Sequence, residues 1–171
     1  MITEGVNVER KREYVEDIKK TVIAFANTNG GKLYIGIEDN GNIVGVKDAD
    51  ATMLELTNAI RHSIKPDITL FTTCEVEIMN ENPVIVLTVQ KRTACPYYLS
   101  SKGIRPEGVY VRQGASSAPA AETAILKMIK ETDGEDYEEI HSSNQDLSFQ
   151  TMQKEFQEAN IKLETAHRFS L

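Results

Sequence analysis

In Ala24-Phe25-Ala26-Asn27-Thr28-Asn29-Gly30-Gly31-Lys32-Leu33-Tyr34-Ile35-Gly36-Ile37-Glu38-Asp39-Asn40-Gly41 the apolar period changes from helical to extended, which joins a helix directly to a strand. On its N-terminal side Ile18, Val22 and Phe25 recur at three- and four-residue spacing, which predicts a helix over 17–25 with Val15 leading in. The helix stops in residues 26–31, where Asn27, Gly30 and Gly31 tolerate left-handed backbone angles. On the C-terminal side Leu33, Ile35 and Ile37 alternate with Tyr34 and Gly36 as a strand does. Asp39-Asn40-Gly41-Asn42 then turns the chain into Ile43-Val44-Gly45-Val46, which predicts a hairpin.

The same reading carries outward along the chain. Asp50 caps a second expected helix with Met53, Leu56, Ile60 and Ile64 on one stripe, and Lys65-Pro66 stops it. Residues 68–78 alternate as a strand with one buried face, Asn80-Glu81-Asn82-Pro83 turns, and Val84 to Val89 is apolar on both faces, as a central strand is. Residues 93–108 form an irregular excursion, 109–112 a short strand, 114–117 a loop, and Pro119 opens a helix carrying Ile125, Met128 and Ile129. The expected fold is α/β in the broad sense (α+β), a mixed, largely antiparallel sheet packed with helices. The expected division is a globular domain over 1–130, an acidic linker over 131–146 and a helical tail over 147–171, the start of a further region. In that tail Ser148 is the cap, and Phe149, Met152 and Phe156 share a face.

Charge is distributed unevenly. The 171-residue chain carries a formal charge of -7, yet residues 1–130 hold 16 acids and 16 bases, while residues 131–171 hold ten acids against three bases. The part bearing the motifs is therefore neutral, and overall acidity does not argue against a phosphate-rich partner. No apolar run approaches the length of a membrane span and no cleavable leader is visible, so the expected location is the cytoplasm, with no membrane partner. Cys74 and Cys95 read as free thiols outside any zinc-binding spacing. Gly36-x4-Gly41 has the glycine spacing of a phosphate-binding loop, but Asn42-Ile43 replaces its Lys-Ser/Thr and a strand follows, so a P-loop for ATP is rejected. Hydrolase, zincin and dinucleotide signatures are missing, and His62, His141 and His167 lie far apart.

What remains is a set of carboxylates beside bases. Glu4 and Glu9 flank a short extended piece, and Asp39 ends a strand at the turn. Three converging carboxylates would suit Mg or Mn, which prefer oxygen ligands and activate water against a phosphodiester. The plainer reading of each residue is equally available: Asp39 favours a turn start, and Glu4 and Glu9 can pair with Arg10, Lys11 or Arg12 in solvent. Candidate phosphate contacts are Arg10, Lys11, Arg12, Lys19, Lys20, Lys91, Arg92, Lys102, Arg105 and Arg112, with ordinary surface charge as the rival reading of each. Tyr97 and Tyr98 are placed either to stack on unpaired bases or to pack beneath their loop.

Glu4-x4-Glu9-x-Lys11, the Ala24–Gly31 segment, Tyr34–Gly41 with Ile43–Val46, then Cys95-Pro96-Tyr97-Tyr98 and Val109–Ser117 together resemble the Schlafen-type AlbA domain over roughly residues 4–130. The resemblance implies a DNA-binding module of the kind found at the N-terminus of bacterial transcriptional regulators and helicase-related proteins. It implies as an alternative a metal-dependent ribonuclease in which Glu4, Glu9 and Asp39 hold Mg or Mn beside Lys11, with a homodimer supplying a second lobe. A protein-interaction or dimerisation module is a third reading. The sequence departs from the family pattern at Arg10, where an aromatic is usual, and at Ala118-Pro119-Ala120, where a base commonly follows the Gly-Ser-Ser turn.

Overall fold

Phe25 and the pair Gly30-Gly31 make the first corner of the molecule in the computed structural model, which describes residues 2–91 and 96–143. Helix α1 (Ile18–Asn27) buries Ile18 and every residue from Thr21 to Ala26. The Thr28 and Gly30 amides both donate to the Phe25 carbonyl, at 3.2 and 2.7 Å, and Gly30 takes a φ of +74°. A Cβ on Gly30 would sit 2.6 Å from the Val89 carbonyl, and one on Gly31 would sit 2.7 Å from the Phe25 ring. Both glycines are thus required by close backbone approach as the chain enters strand β2 (Gly31–Ile35).

Strand β2 lies inside a four-stranded sheet. Its parallel neighbour is β1 (Val8–Lys11) and its antiparallel neighbour β5 (Asn82–Val89), with β4 (Thr72–Met79) outermost beyond β5. Leu33, Ile35, Ile85, Leu87 and Val89 share one sheet face and pack against Ile18, Val22 and Phe25 of α1 and Leu56 and Ile60 of α2 (Ala49–Ser63). Each of these fully buried aliphatic side chains contributes about 1.5–3 kcal/mol relative to exposure. Strand β3 (Ile64–Lys65) pairs with β6 (Tyr98–Leu99), β7 (Tyr110–Gln113) pairs with β8 (Ser116–Pro119), and α3 (Glu122–Ser143) follows. A second, smaller core of Ile104, Val109, Ala120, Ile125 and Ile129 sits under this later half. The fold is mixed α+β with antiparallel pairing dominant, and Val84–Val89 is the central strand that its sequence predicts.

Several local expectations change. The hairpin over 33–46 shrinks to one bridge, Ile37 with Ile43, because both edges of β2 are already taken by β1 and β5. Residues 36–46 instead fold onto themselves, with the Gly36 carbonyl accepting from the Val44 and Gly45 amides at 2.9 Å each. The cap of α2 is Asp48, whose carboxylate accepts from the Ala51 amide at 3.0 Å, and not Asp50. Thr69–Phe71 form a 3-10 turn that delays the strand to Thr72, since Asp67 accepts both the amide and the hydroxyl of Thr69. Ser116 and Ser117 belong to a strand rather than a loop, Pro119 ends it, and α3 starts at Glu122. That helix continues past Lys130 to Ser143, so residues 131–143 of the expected linker are helical; Glu is a good helix former and no Pro intervenes. The tail over 147–171 lies outside the described residues.

Candidate nucleic-acid interface

Arg112 on β7 organises the site. Its guanidinium is fully buried and spends five N–H donors on five acceptors: Nε on the Val6 carbonyl (3.1 Å), Nη1 on Glu9 (2.9 Å) and Ser117 (3.0 Å), and Nη2 on the Gly5 (2.6 Å) and Val8 (3.3 Å) carbonyls. The Phe25 ring lies 4.9 Å beneath it. Arg112 therefore holds the N-terminal turn against the β7–β8 hairpin, and it has no donor left for a phosphate. Beside it, Asn27 joins α1 to two other segments: its Nδ2 donates to the Tyr97 and Tyr110 carbonyls at 3.0 Å each, and its Oδ1 accepts the Tyr97 amide at 2.8 Å. The Thr28 hydroxyl accepts the Arg112 amide at 3.0 Å.

Strand geometry sets Glu9 on the opposite face of the sheet from Arg10, the residue that Glu4 and Asp39 both contact. Successive side chains of β1 alternate in direction, so Glu9 and Lys11 lie on the helix-covered face of the sheet and Arg10 on the other. One Glu9 oxygen meets Lys11 at 3.2 Å and the other meets Arg112 at 2.9 Å. The Glu4 carboxylate accepts the Arg10 amide at 3.2 Å, while the Arg10 side chain donates to the carbonyls of Ile2 (3.2 Å) and Asp39 (2.9 Å). Among the described residues no three His, Cys, Asp or Glu side chains gather to hold a metal ion. With Glu9 occupied by two cations and Asp39 exposed, this donor set does not fit a Mg or Mn centre.

Two adjoining clefts open at the N-terminal end of α1. One, of about 420 Å³, is bounded by Glu9, Lys11, Lys20, Thr21, Ser116 and Ser117. The other, of about 510 Å³, is bounded by Lys19, Lys20, His62, Ser63, Ser100 and Ser101. They share Asp17 and Lys20, and the grooved surface they make carries three lysines, the acids Glu9, Glu16 and Asp17, and several hydroxyls. Glu9 is shared between Lys11 and Arg112, so the three groups together carry one net positive charge. Lys19 and Lys20 pair with Glu16 (2.6 Å) and Asp17 (3.3 Å), but both acids are largely exposed, and such pairs are weak enough to yield to another anion. The hydrogen bond to Asp17 raises the Lys20 pKa, so that lysine stays charged; its Nζ also lies 5.6 Å from the Tyr110 ring centroid.

The remaining basic residues disperse. Arg12 is exposed and pairs with Glu38 at 3.7 Å beside a separate, open cleft of about 660 Å³ that also includes Tyr14 and Lys47. Burial, with Glu16 and Glu55 nearby, raises the Tyr14 phenol above its usual pKa. Lys91, Lys102 and Arg105 are exposed and line neither part of the groove, and Arg92 and Cys95 lie outside the described residues. Tyr97 is 1% exposed within the main core, which leaves no face for a base to stack on, and Tyr98 packs against the second core. Cys74 is half-buried against the main core, and burial raises its thiol pKa. Sequence reading passed over Asn27 as a tie, Thr28 as an acceptor and the serine pair as groove lining. The signal was present in the Asn-Thr-x-Gly-Gly segment, where an amide and a hydroxyl follow a buried helix directly.

The sequence model of the family described as Schlafen, AlbA_2 matches residues 4–121. A solution structure of the N-terminal domain of a Nitrosomonas europaea protein, named for its relation to the ATP-dependent DNA helicase RecG, is similar at 26% identity. That similarity covers 67% of this chain and 82% of that one, with a TM-score of 0.46. The crystal structure of the DIP2311 protein from Corynebacterium diphtheriae is similar at 20% identity over 72% of this chain, with a TM-score of 0.53, and shares the fold; the match spans only 23% of that longer chain. With the matched residues running from Glu4 at the edge of β1 through β8, the chain belongs to the Schlafen AlbA_2 family.

Proposed function

We propose that the chain is a nucleic-acid-binding module, acting on DNA, of the kind that serves a transcriptional regulator or a helicase-related protein. The observation that carries this reading is the groove along α1, where Lys11, Lys19 and Lys20 stand among the hydroxyls of Thr21, Ser100, Ser101, Ser116 and Ser117. Lysine charges and hydroxyl donors are the groups that bind phosphate oxygens, and family membership agrees with a nucleic-acid role. Among the described residues that line it there is no Asn, Gln or Arg to read base edges, so its preference is for the backbone rather than for sequence.

The test is binding of labelled duplex and single-stranded DNA, and of RNA, measured across about 50–200 mM salt. Affinity is expected to fall steeply with salt, and Lys11→Ala and Lys20→Ala are each expected to lower the slope of log K against log salt by about one. The control substitution Lys91→Ala, outside the groove, leaves the slope unchanged. Salt-independent binding, or a slope insensitive to both groove lysines, overturns the assignment.

A further inference from the structure

We infer that β4 is a docking edge for an extended segment of a partner protein in which basic and apolar residues alternate. The two edges of the sheet are finished differently. At β1 the Glu4 carboxylate takes the Arg10 amide, the chain doubles back through the Gly5–Val8 bridge, and Arg112 takes the carbonyls of Gly5, Val6 and Val8. At β4, all eight residues from Thr72 to Met79 pair with β5 on one side only. Among the described residues no strand lies along the other side, and no side chain is hydrogen-bonded to the backbone of Thr73–Met79. A long, straight edge without Pro, Lys or a bulge is a ready template for another strand.

The side chains on that edge specify the occupant. Val76 and Ile78 project on the helix-side face and remain 39% and 70% exposed, while Glu75 and Glu77 project exposed on the opposite face. A strand laid beside β4 would gain main-chain hydrogen bonds, apolar contact with Val76 and Ile78 on one face, and Lys or Arg opposite Glu75 and Glu77 on the other. A second copy of the chain fits poorly in the register that overlaps the two strands most fully about their centre. Antiparallel pairing of two β4 strands about Val76 sets Glu75 of one copy against Glu77 of the other, twice, and like charges directly opposite are destabilising. The β1 edge of another copy is closed, and its helix-side residues Glu9 and Lys11 are charged and already engaged.

The probe is a labelled, end-capped peptide Thr-Lys-Val-Lys-Ile-Lys-Thr, with its Lys-to-Glu counterpart, titrated into the full chain by fluorescence anisotropy and followed by amide hydrogen exchange. The lysine peptide is expected to bind and to protect the amides of Thr73–Met79, and the glutamate peptide to fail. The double substitution Glu75→Lys, Glu77→Lys is expected to weaken the lysine peptide about tenfold and to admit the glutamate peptide. Ile78→Thr, at an exposed position the fold does not need, weakens both peptides without changing preference. Lys11→Ala leaves peptide binding unaltered, which separates this edge from the groove. Failure of the lysine peptide to bind, insensitivity to the charge swap, protection elsewhere in the chain, or a concentration-dependent dimer that protects β4 without peptide each overturns the assignment.

Discussion

Arg112 shows what a single side chain can fix. Arg112→Ala leaves the buried Glu9 carboxylate with Lys11 alone and removes five hydrogen bonds at once, and is expected to cost about 3–5 kcal/mol in urea unfolding. Arg112→Lys keeps the charge but loses the planar fork, and should recover only part of that loss. Asn27→Ala removes three hydrogen bonds at once, with an expected cost on the order of 2–4 kcal/mol by the same measurement. Neither role is legible from residue type, because a basic residue in a short strand is normally solvated and an Asn after a helix is normally a stop. The sequence separations that the fold closes, 103 residues between Arg112 and Glu9 and 70 between Asn27 and Tyr97, are what periodicity cannot register. The pattern offers Glu9 a solvated base among Arg10, Lys11 and Arg12, whereas in the fold Glu9 is buried between Lys11 and an Arg112 that arrives from the far end of the domain.

Elements whose period matched their burial read true, and those governed by edges did not. Helix α1 is buried at every residue from Thr21 to Ala26 and strand β5 at every residue from Val84 to Leu87, so their apolar runs suffice to place them. The predicted 33–46 hairpin failed because the parallel partner β1 had claimed the edge, and parallel pairing leaves no turn signature in the sequence. By contrast the β4–β5 hairpin closes through Asn80 and Glu81, both at positive φ (49° and 65°), the backbone a two-residue hairpin loop needs. The turn before β4 carries a pH dependence. Hydrogen bonds from the Thr69 hydroxyl and amide lower the Asp67 pKa, so the ionised carboxylate stabilises the fold above its ordinary value of about 3.9, and that contribution is lost as pH falls through the lower folded value. The melting-temperature gap between the natural chain and Asp67→Asn is therefore expected to be constant above about pH 5 and to close below about pH 4.

At the scale of the whole molecule, charge is segregated. The excess of acid lies after Lys130, and six carboxylates fall between Glu131 and Glu139, where the chain is still helical. Their field reaches about 10 Å at 0.1 M salt, so it opposes a polyanion only at low ionic strength. Neutralising those six residues to Gln and Asn is expected to raise DNA affinity severalfold at about 50 mM salt, with the two curves converging at high salt. No helix among the described residues is long and apolar enough to cross a membrane.

The Arg112 tie also sets an order of assembly. The guanidinium that seats the N-terminal turn is contributed more than a hundred residues later, at separations of 103 to 107 along the chain. Strand β1 can pair with β2, and Glu4, Lys11 and the Gly5–Val8 bridge can close locally, as soon as those residues exist, but the Arg112 tie waits for β7. Contacts of such sequence separation are slow to form, so this tie is expected to close after the local β1–β2 pairing. The turn at Gly5–Val8 thus takes its final anchor from the far end of the matched region.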